Sequence, residues 1–322
     1  MTGSAVPGGV ERLGILVVCY LRDDGDVPIL RMHLDRVARH TDVAYTHYVT
    51  TARASAAAQE LIRARPDVQH CDVEPTELRG SREHAYYLDE LARRALADGV
   101  SHVCTLDVDS FPIRDGWVEA IAEARPPAAD PQTDSGVAGI LRVENGDTCL
   151  PHPSCVFAPR AFFDDHHPSF SPDSDGSAEF RRFLRATGQP ADTGIRLAHT
   201  LWSRRLGWAR LVRTNAVDLH PVMGGVYHDV LFHVGGIGRG KLFRRDLLAS
   251  RVHRLSRPIE RVPVPGAGLR RAKRRLLHAI RGRTERRLAA VNREAADELD
   301  TRLRRDPDVL FAELTGVSAG DR

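Results

Sequence analysis

Residues 102–112 read His-Val-Cys-Thr-Leu-Asp-Val-Asp-Ser-Phe-Pro, an apolar run that ends in two acids one residue apart. Such a run is typical of a buried β-strand, and Pro112 must end it because proline has no N–H to donate to a sheet. Two carboxylates where a buried strand gives way to a loop can jointly hold a hard divalent cation, which in turn grips a diphosphate. The simpler interpretation is that Asp107 and Asp109 lie in a solvated turn and bind nothing.

The composition is that of an ordinary globular protein. The 322 residues, 42% hydrophobic and 28% charged, suffice for one large domain or two small ones, and a net charge of +3 says little about partners. Five cysteines without a Cys-x-x-Cys pair disfavour a disulfide framework or a zinc site. Residues 1–11, predicted to be a disordered leader, lack a signal-peptide pattern, and no apolar stretch approaches the ~20 residues that span a bilayer. We therefore expect a cytoplasmic protein.

Strands and helices alternate from residue 13 to residue 124. Apolar runs predict strands at 136–143, 154–158 and 229–234 in the second half of the chain. In the first half, continuous apolar or β-branched runs predict strands at 13–20, 44–50, 68–73 and 102–106. Apolar residues at helical spacing separate them, which predicts an α/β fold: a Rossmann-like, mostly parallel central sheet with helices on both faces. Ligands of such sheets bind beyond the carboxyl ends of the strands, where the Asp-x-Asp motif and the loop 20–26 lie.

The first strand ends in Val17-Val18-Cys19-Tyr20, and Asp107 follows 88 residues after Cys19. This order resembles the nucleotide-sugar glycosyltransferases of the GT-A fold, close to family 2, over roughly residues 12–245. The resemblance implies a nucleoside-diphosphate-sugar donor, a hydroxyl-bearing acceptor, and Mn²⁺ or Mg²⁺ held by the Asp-x-Asp motif. It divides the chain into a nucleotide-sugar-binding half at 12–125, an acceptor-binding and metal-completing half at 126–250, and a basic helical extension at 251–322.

The resemblance also implies roles for individual residues. Donor contacts are expected from Tyr20, Arg22, Ser81, His84 and Asp107. Asp107 would orient the donor through the sugar, the ribose or the metal, and Asp109 would ligate the metal directly. Ser81 is also predicted to cap the helix that follows it. Residues 49–51 read Val-Thr-Thr where such enzymes often carry an Asp-rich signature, which leaves the base of the nucleotide unassigned.

A second candidate segment begins at His233-Val234-Gly235, with Lys241 eight residues after the histidine. Several families of this fold place a metal-binding histidine late in the chain, then a Gly-rich turn and a lysine near the phosphates. A neutral imidazole can complete an octahedral site begun by two carboxylates, so His233 is the predicted third ligand, and Lys241 would neutralise diphosphate charge. Alternatively His233 is merely packed at a strand end, and His228 is the reserve ligand.

The same segment matches most of a phosphate-binding P-loop. Residues 235–241 fit the pattern Gly-x-x-x-x-Gly-Lys. The next residue is Leu242 rather than the Ser or Thr that ligates Mg²⁺, and only about 80 residues remain, without an apolar strand ending in Asp. A nucleotide-hydrolysing domain is therefore disfavoured.

The acceptor half offers a candidate general base. An inverting glycosyltransferase needs a carboxylate to take the proton of the attacking hydroxyl, and Asp192, before a predicted helix at 195–203, is the first candidate. The alternative is that Asp192 only caps that helix. Weaker candidates are Asp173, Asp175 and Glu179. A retaining enzyme needs no base here, and the sequence does not decide between the two stereochemical courses.

The C-terminal region carries apolar residues at intervals of three and four from Leu269 onward, which predicts one long helix or two stacked helices. Between Arg270 and Arg287 the only acid is Glu285. Such a helix packs on the catalytic domain or in a homodimer, or lies on an anionic membrane surface. Nucleic acid is the least favoured partner, because aromatic residues for base stacking are absent from 244 to 310.

These observations together predict a metal-dependent glycosyltransferase. A nucleotidyltransferase of related fold is the alternative enzyme, but it typically has a Gly-rich, basic loop after the first strand, where this chain reads Arg-Asp-Asp-Gly-Asp at 22–26. A non-enzymatic scaffold or nucleic-acid-binding protein using residues 270–305 is the alternative from another class.

Overall fold

The computed structural model describes residues 9–21, 23–124, 134–235 and 242–317. The strands are β1 (Leu13–Val18), β2 (Tyr45–Thr50), β3 (Val68–His70), β4 (His102–Leu106), β5 (Ser110–Pro112), β6 (Asp134–Ile140), β7 (His152–Pro159), β8 (Gly207–Leu211), β9 (Gly225–Tyr227) and β10 (Leu231–His233). The helices are α1 (Val27–His40), α2 (Ala56–Arg63), α3 (Ser81–Ala97), α4 (Trp117–Glu123), α5 (Arg160–His166), α6 (Ala178–Thr187), α7 (Ile195–Ser203), α8 (Arg244–Ala249), α9 (Arg251–Arg261), α10 (Ala267–Arg305) and α11 (Pro307–Thr315). Within these ranges no helix is both long and apolar enough to cross a membrane.

The central sheet has the strand order β3-β2-β1-β4-β7-β6-β8. β1 pairs in parallel with β2 and β4, β2 with β3, and β6 with β8, whereas β7 is antiparallel to both of its neighbours. β7 is therefore the one strand of this sheet that runs against the others. The predicted fold class, a mostly parallel Rossmann-like sheet, is confirmed, and β1 and β4 end side by side at its centre.

Both faces of the sheet are covered, as predicted. Alternate residues of a strand point to opposite faces, and in β1 Ile15 and Val17 join the core cluster on the α1 side while Leu16 and Val18 join the cluster on the α3 side. Gly14 lets α3 approach closely, because a Cβ atom there would lie 3.1 Å from the Cβ of Ala95.

A second, antiparallel sheet has the order β5-β10-β9. It pairs Ser110 with His233 and Phe111 with Phe232. Two chain segments more than 100 residues apart therefore meet immediately after the Asp-x-Asp motif.

The end of the predicted C-terminal extension packs on the core. Five buried apolar side chains of α10 and α11 belong to the core cluster on the α1 side: Leu299, Leu303, Leu310, Phe311 and Leu314. Full burial of such a side chain contributes roughly 1.5–3 kcal/mol, so this end of the extension is part of the fold. At the other terminus Val10 is fully buried, and the N–H of Glu11 donates to the Ser101 hydroxyl at 3.1 Å.

Candidate active site

The Asp-x-Asp motif forms the turn between β4 and β5. The backbone N–H of Ser110 donates to the Asp107 carbonyl at 2.8 Å, and the N–H of Val234 donates to the Asp109 carbonyl at 2.9 Å. The side chain of Asp107 is 24% exposed and that of Asp109 only 9%. The turn is thus closed by its own hydrogen bond and tied to the residue after β10 by a second one, with one carboxylate open to solvent and one nearly enclosed.

His233 lies next to this turn because it pairs with Ser110 in the small sheet. Its Nε2 atom is 3.7 Å from Oδ1 of Asp109. One ligand atom from each of Asp107, Asp109 and His233 lies within 4.8 Å of the others. Ligand atoms on opposite sides of an ion at about 2.2 Å are roughly 4.4 Å apart, so small side-chain shifts suffice for all three to reach one ion. Two carboxylates and an imidazole are a set of ligands that a divalent cation can bind.

The His233 imidazole is packed between two other rings. The ring of His152 is 5.8 Å away and that of Tyr227 is 6.5 Å away, measured between centroids. The Tyr227 hydroxyl donates to Oε1 of Glu144 at 2.5 Å. Burial raises the pKa of Tyr227 well above its usual range, and the charge of Glu144 raises it further, so the phenol remains a donor. These neighbours, absent from the sequence prediction, fix the ring of His233. His228 lies in the turn between β9 and β10 at φ 51° and is not part of the cluster.

The donor side of the predicted site is formed by α3. Nε2 of His84 lies 3.6 Å from Oδ1 of Asp107, and the ring of Tyr20, just after β1, lies edge-on to His84 at 6.2 Å. Burial raises the pKa of Tyr20 well above its usual range, with a further contribution from the charge of Glu83. Glu83 is buried and forms an ion pair with Arg53 from the loop after β2. The structure thus gathers Tyr20, His84 and the Asp-x-Asp motif at one edge, together with an ion pair that the sequence did not reveal.

Ser81 and Asp192 are in direct contact. The Ser81 hydroxyl donates to Oδ1 of Asp192 at 2.5 Å, and the same oxygen accepts from the Thr193 N–H at 2.9 Å. The prediction that Ser81 caps α3 is wrong, because Gly80, at φ 63°, is the cap and Ser81 is the first helical residue. Asp192 is not the cap of α7 either, since Gly194 takes that position. The alternative in which Asp192 only caps a helix is therefore excluded.

Ser81 links Asp192 to the candidate metal ligands Asp107, Asp109 and His233. Ser81 and His84 are three residues apart, so they lie on the same face of α3 about one turn, or ~5 Å, from each other. One contacts Asp192 and the other contacts Asp107. One face of α3 therefore contacts both the candidate base, Asp192, and the candidate metal ligand Asp107.

The weaker base candidates have other partners. Asp173 forms an ion pair with Arg82 at 2.7 Å, and Asp175 accepts from the Ser177 N–H at 2.8 Å. Glu179 pairs with Arg182 at 3.6 Å on the surface of α6. These contacts organise the loop around 173–177 and its following helix.

Two predicted site residues, Arg22 and Lys241, lie outside the described residues, as do residues 236–241 of the P-loop match. In the loop that follows β1, the residues on both sides of Arg22 are described. The Asp23 carboxylate accepts from the Gly25 N–H at 2.9 Å, and Nη2 of Arg304 donates to the Gly25 carbonyl at 2.9 Å. The end of α10 therefore contacts the loop in which donor binding is predicted.

A buried histidine pair lies behind the Asp-x-Asp turn. Nδ1 of His33 donates to the Ser110 carbonyl at 2.8 Å, and the His33 and His47 rings are 5.5 Å apart. Burial lowers the pKa of His33 to about 4 and that of His47 to about 3. Both rings are thus neutral at physiological pH, and His33 supports the backbone of the turn.

No protein-family profile and no curated protein sequence matches the chain. Among solved structures, it is similar to the mannosyltransferase PcManGT from Pyrobaculum calidifontis in complex with GDP-Man and Mn²⁺, at 16% identity over 96% of this chain and 86% of that one, with a TM-score of 0.41. The galactosyltransferase LgtC, with donor and acceptor sugar analogues, is similar at 13% identity over 81% of this chain and 99% of its own, with a TM-score of 0.37. A putative nucleotide-diphospho-sugar transferase from Desulfovibrio desulfuricans G20 is similar at 12% identity over 62% of this chain and 79% of its own, with a TM-score of 0.39. Similarities at this level carry no conclusion about function.

Proposed function

We propose that this protein is a metal-dependent glycosyltransferase that moves a sugar from a nucleoside-diphosphate donor to a hydroxyl acceptor. The observation that carries the proposal is the cluster of Asp107, Asp109 and His233, whose ligand atoms lie within 4.8 Å of one another. It lies at the carboxyl end of β4, the edge at which open α/β sheets bind their ligands.

In this proposal the three cluster residues hold Mn²⁺ or Mg²⁺. When bound, the ion supplies positive charge to the diphosphate of the leaving nucleotide, a form of electrostatic stabilisation that is usually the largest catalytic effect. Asp109 is enclosed and backed by His233 at 3.7 Å, so it is the fixed ligand, while the more exposed Asp107 faces the donor. The packing of His233 against His152 and Tyr227 keeps its imidazole directed at Asp109.

Donor and acceptor then meet along α3. Tyr20, His84 and Asp107 would contact the donor, with Arg22 and Lys241 as proposed phosphate contacts. For an inverting reaction, Asp192 would accept the proton of the attacking hydroxyl. Its hydrogen bonds from the Ser81 hydroxyl and the Thr193 N–H both go to Oδ1 and orient the carboxylate; in this proposal the second oxygen, Oδ2, would accept the proton.

The proposal is tested by measuring thermal stability with UDP, GDP or TDP, each with and without Mn²⁺. We expect one diphosphate to raise Tm by several degrees only when Mn²⁺ is present, since saturation at about 100 times Kd stabilises by roughly 2.7 kcal/mol. The isosteric substitution Asp109→Asn should abolish this shift. Asp164→Asn, at an exposed acid that pairs with Arg160 on α5, is the matched control and should retain it.

Two results would contradict the proposal. One is a nucleotide-dependent Tm shift of equal size in EDTA, which would remove the metal from the site. The other is release of pyrophosphate from a nucleoside triphosphate and a sugar phosphate, which would identify a nucleotidyltransferase.

A further inference from the structure

The charge of this chain is distributed very unevenly. Residues 251–287, which form α9 and the first half of α10, contain 13 Arg or Lys and 2 Glu, a net charge of +11. The other 285 residues contain 33 Arg or Lys and 41 Asp or Glu, a net charge of −8. We call residues 251–287 the basic hairpin. The net charge of the whole chain is only +3 because the negative charge of the other residues offsets the positive charge of the hairpin.

The two helices of the basic hairpin pack on each other through polar contacts. Arg281 binds Glu260 at 2.8 Å, and Nε2 of His253 lies 2.9 Å from Oε1 of Glu285. Both acids of the hairpin, Glu260 and Glu285, therefore already have a partner within it. Most of its arginines form no ion pair among the described residues and are therefore available to an anionic partner.

One face of α10 carries an exposed apolar stripe. Its members and their exposed fractions are Leu269 (57%), Leu276 (50%), Ile280 (39%) and Val291 (53%). Intervals of 7, 4 and 11 residues place them on one face of the helix. Arg283 and Arg287 are exposed on the same face, and Arg275 and Arg286 flank it. α9 contacts α10 through Lys273, Arg281 and Glu285, and the four apolar side chains of the stripe stay exposed among the described residues.

The chemistry of this face selects one partner. Two copies of the chain meeting stripe to stripe would bring their flanking arginines together, and like charges repel. A nucleic acid would match the charge but would leave the apolar stripe in water, and the segment offers no aromatic side chain for stacking. A bilayer with anionic headgroups satisfies both features, because apolar residues enter the interface while arginines bind phosphates.

We propose that the basic hairpin and the apolar stripe bind the surface of a bilayer containing anionic lipids, independently of the proposed catalytic function. Without Trp or Tyr to anchor it, this contact is mainly electrostatic and reversible. α10 continues without interruption from the stripe to Leu303 and Arg304, which contact the core and the Gly25 carbonyl. The contact therefore fixes the orientation of the whole domain relative to the membrane.

Co-sedimentation of the full chain with vesicles tests the proposal. We expect at least tenfold tighter binding to vesicles of phosphatidylcholine with 30% phosphatidylglycerol than to phosphatidylcholine alone. Raising NaCl from 0.1 to 0.5 M should reduce binding strongly, because added salt screens exposed charges. The triple variant Leu269→Gln/Leu276→Gln/Ile280→Gln keeps every charge and should bind at least tenfold more weakly.

The matched control is Val212→Gln/Val217→Gln/Val309→Gln, which changes three exposed apolar residues outside the hairpin and should bind as the wild type does. Circular dichroism and Tm establish that both variants are folded. Equal binding to neutral and anionic vesicles, or unchanged binding of the triple stripe variant, would overturn the proposal. So would a wild-type dimer that the stripe variant dissociates, or binding to duplex DNA or RNA as tight as to anionic vesicles.

Discussion

Stability at mildly acidic pH should depend on the buried histidine pair behind the Asp-x-Asp turn. The pKa values of His33 and His47, about 4 and about 3, are lowered by burial from 6.5. Below pH 6.5 the unfolded chain therefore binds protons that the folded chain does not. Stability is fully present above that pH and falls as the pH is lowered towards the folded-state values.

The size of the effect follows from the two pKa values. At pH 5 each histidine is almost fully protonated in the unfolded chain and almost fully neutral in the folded one. Linkage then lowers the free energy of unfolding at pH 5, relative to pH 7.5, by about 2 kcal/mol per histidine, or about 4 kcal/mol for the pair. This is a large part of the total stability of a typical domain, about 5–15 kcal/mol.

The variant His47→Leu separates the contribution of one ring. Neither nitrogen of His47 has a hydrogen-bond partner among the described residues, so an apolar side chain of similar volume should leave stability at pH 7.5 unchanged or slightly higher. Burial also lowers the pKa of His40 and His220, so the prediction concerns the difference between variant and wild type. The stability that the variant loses between pH 7.5 and pH 5 should be about 2 kcal/mol smaller than the wild-type loss. Urea unfolding at pH 7.5, 6 and 5 measures both quantities.

The control is His278→Leu, at a histidine exposed on α10, which should keep the pH dependence of the wild type. If His47→Leu lost as much stability as the wild type on acidification, the assignment of the effect to this pair would be refuted.

Three further perturbations test the site and its support. Asp109→Asn should lower transfer activity at least a thousandfold, measured as nucleoside diphosphate released, while Tm without ligand changes by no more than a few degrees. Ser81→Ala removes the hydroxyl that orients Asp192; a hydrogen bond to a charged group contributes about 1.5–3 kcal/mol, so kcat/KM should fall about 10- to 100-fold. Phe311→Ala deletes a fully buried ring and should destabilise by about 3–5 kcal/mol in urea unfolding; a loss below 1 kcal/mol would show that the C-terminal extension is not part of the core.

The sequence predicted the central sheet well because its middle strands are buried on both faces. β1 and β4 are continuous apolar runs with no competing helical period. The short strands β5 and β9, of three residues each, carry too little pattern to be recognised. β8 was missed because its exposed Arg210 and half-exposed Trp208 interrupt the apolar signal at an edge of the sheet.

The candidate site was predictable only where it coincides with strand ends. Asp107, Asp109 and His233 follow or end apolar strands, so topology alone brings them to one edge. The contact between Tyr227 and Glu144 joins residues 83 positions apart, and no motif signals it. The prediction that Ser81 caps α3 failed for a local reason. Gly80 takes the cap position at φ 63°, a conformation that favours glycine. The Ser81 side chain is therefore available to bind Asp192.

The small sheet connects the candidate site to the C-terminal extension. In β5 and β10, Phe111 and Phe232 pair with each other, and their rings lie 6.2 and 5.0 Å from that of Phe311. Since neighbouring residues of a strand point to opposite faces, Ser110 and His233 point the other way, towards the Asp-x-Asp motif. The small sheet therefore lies between Phe311 on one face and His233, a candidate metal ligand, on the other. A cavity at Phe311 should loosen His233 as well as the extension, so Phe311→Ala should weaken the Mn²⁺-dependent nucleotide shift, whereas an exposed change on the same helix, Val309→Gln, should not.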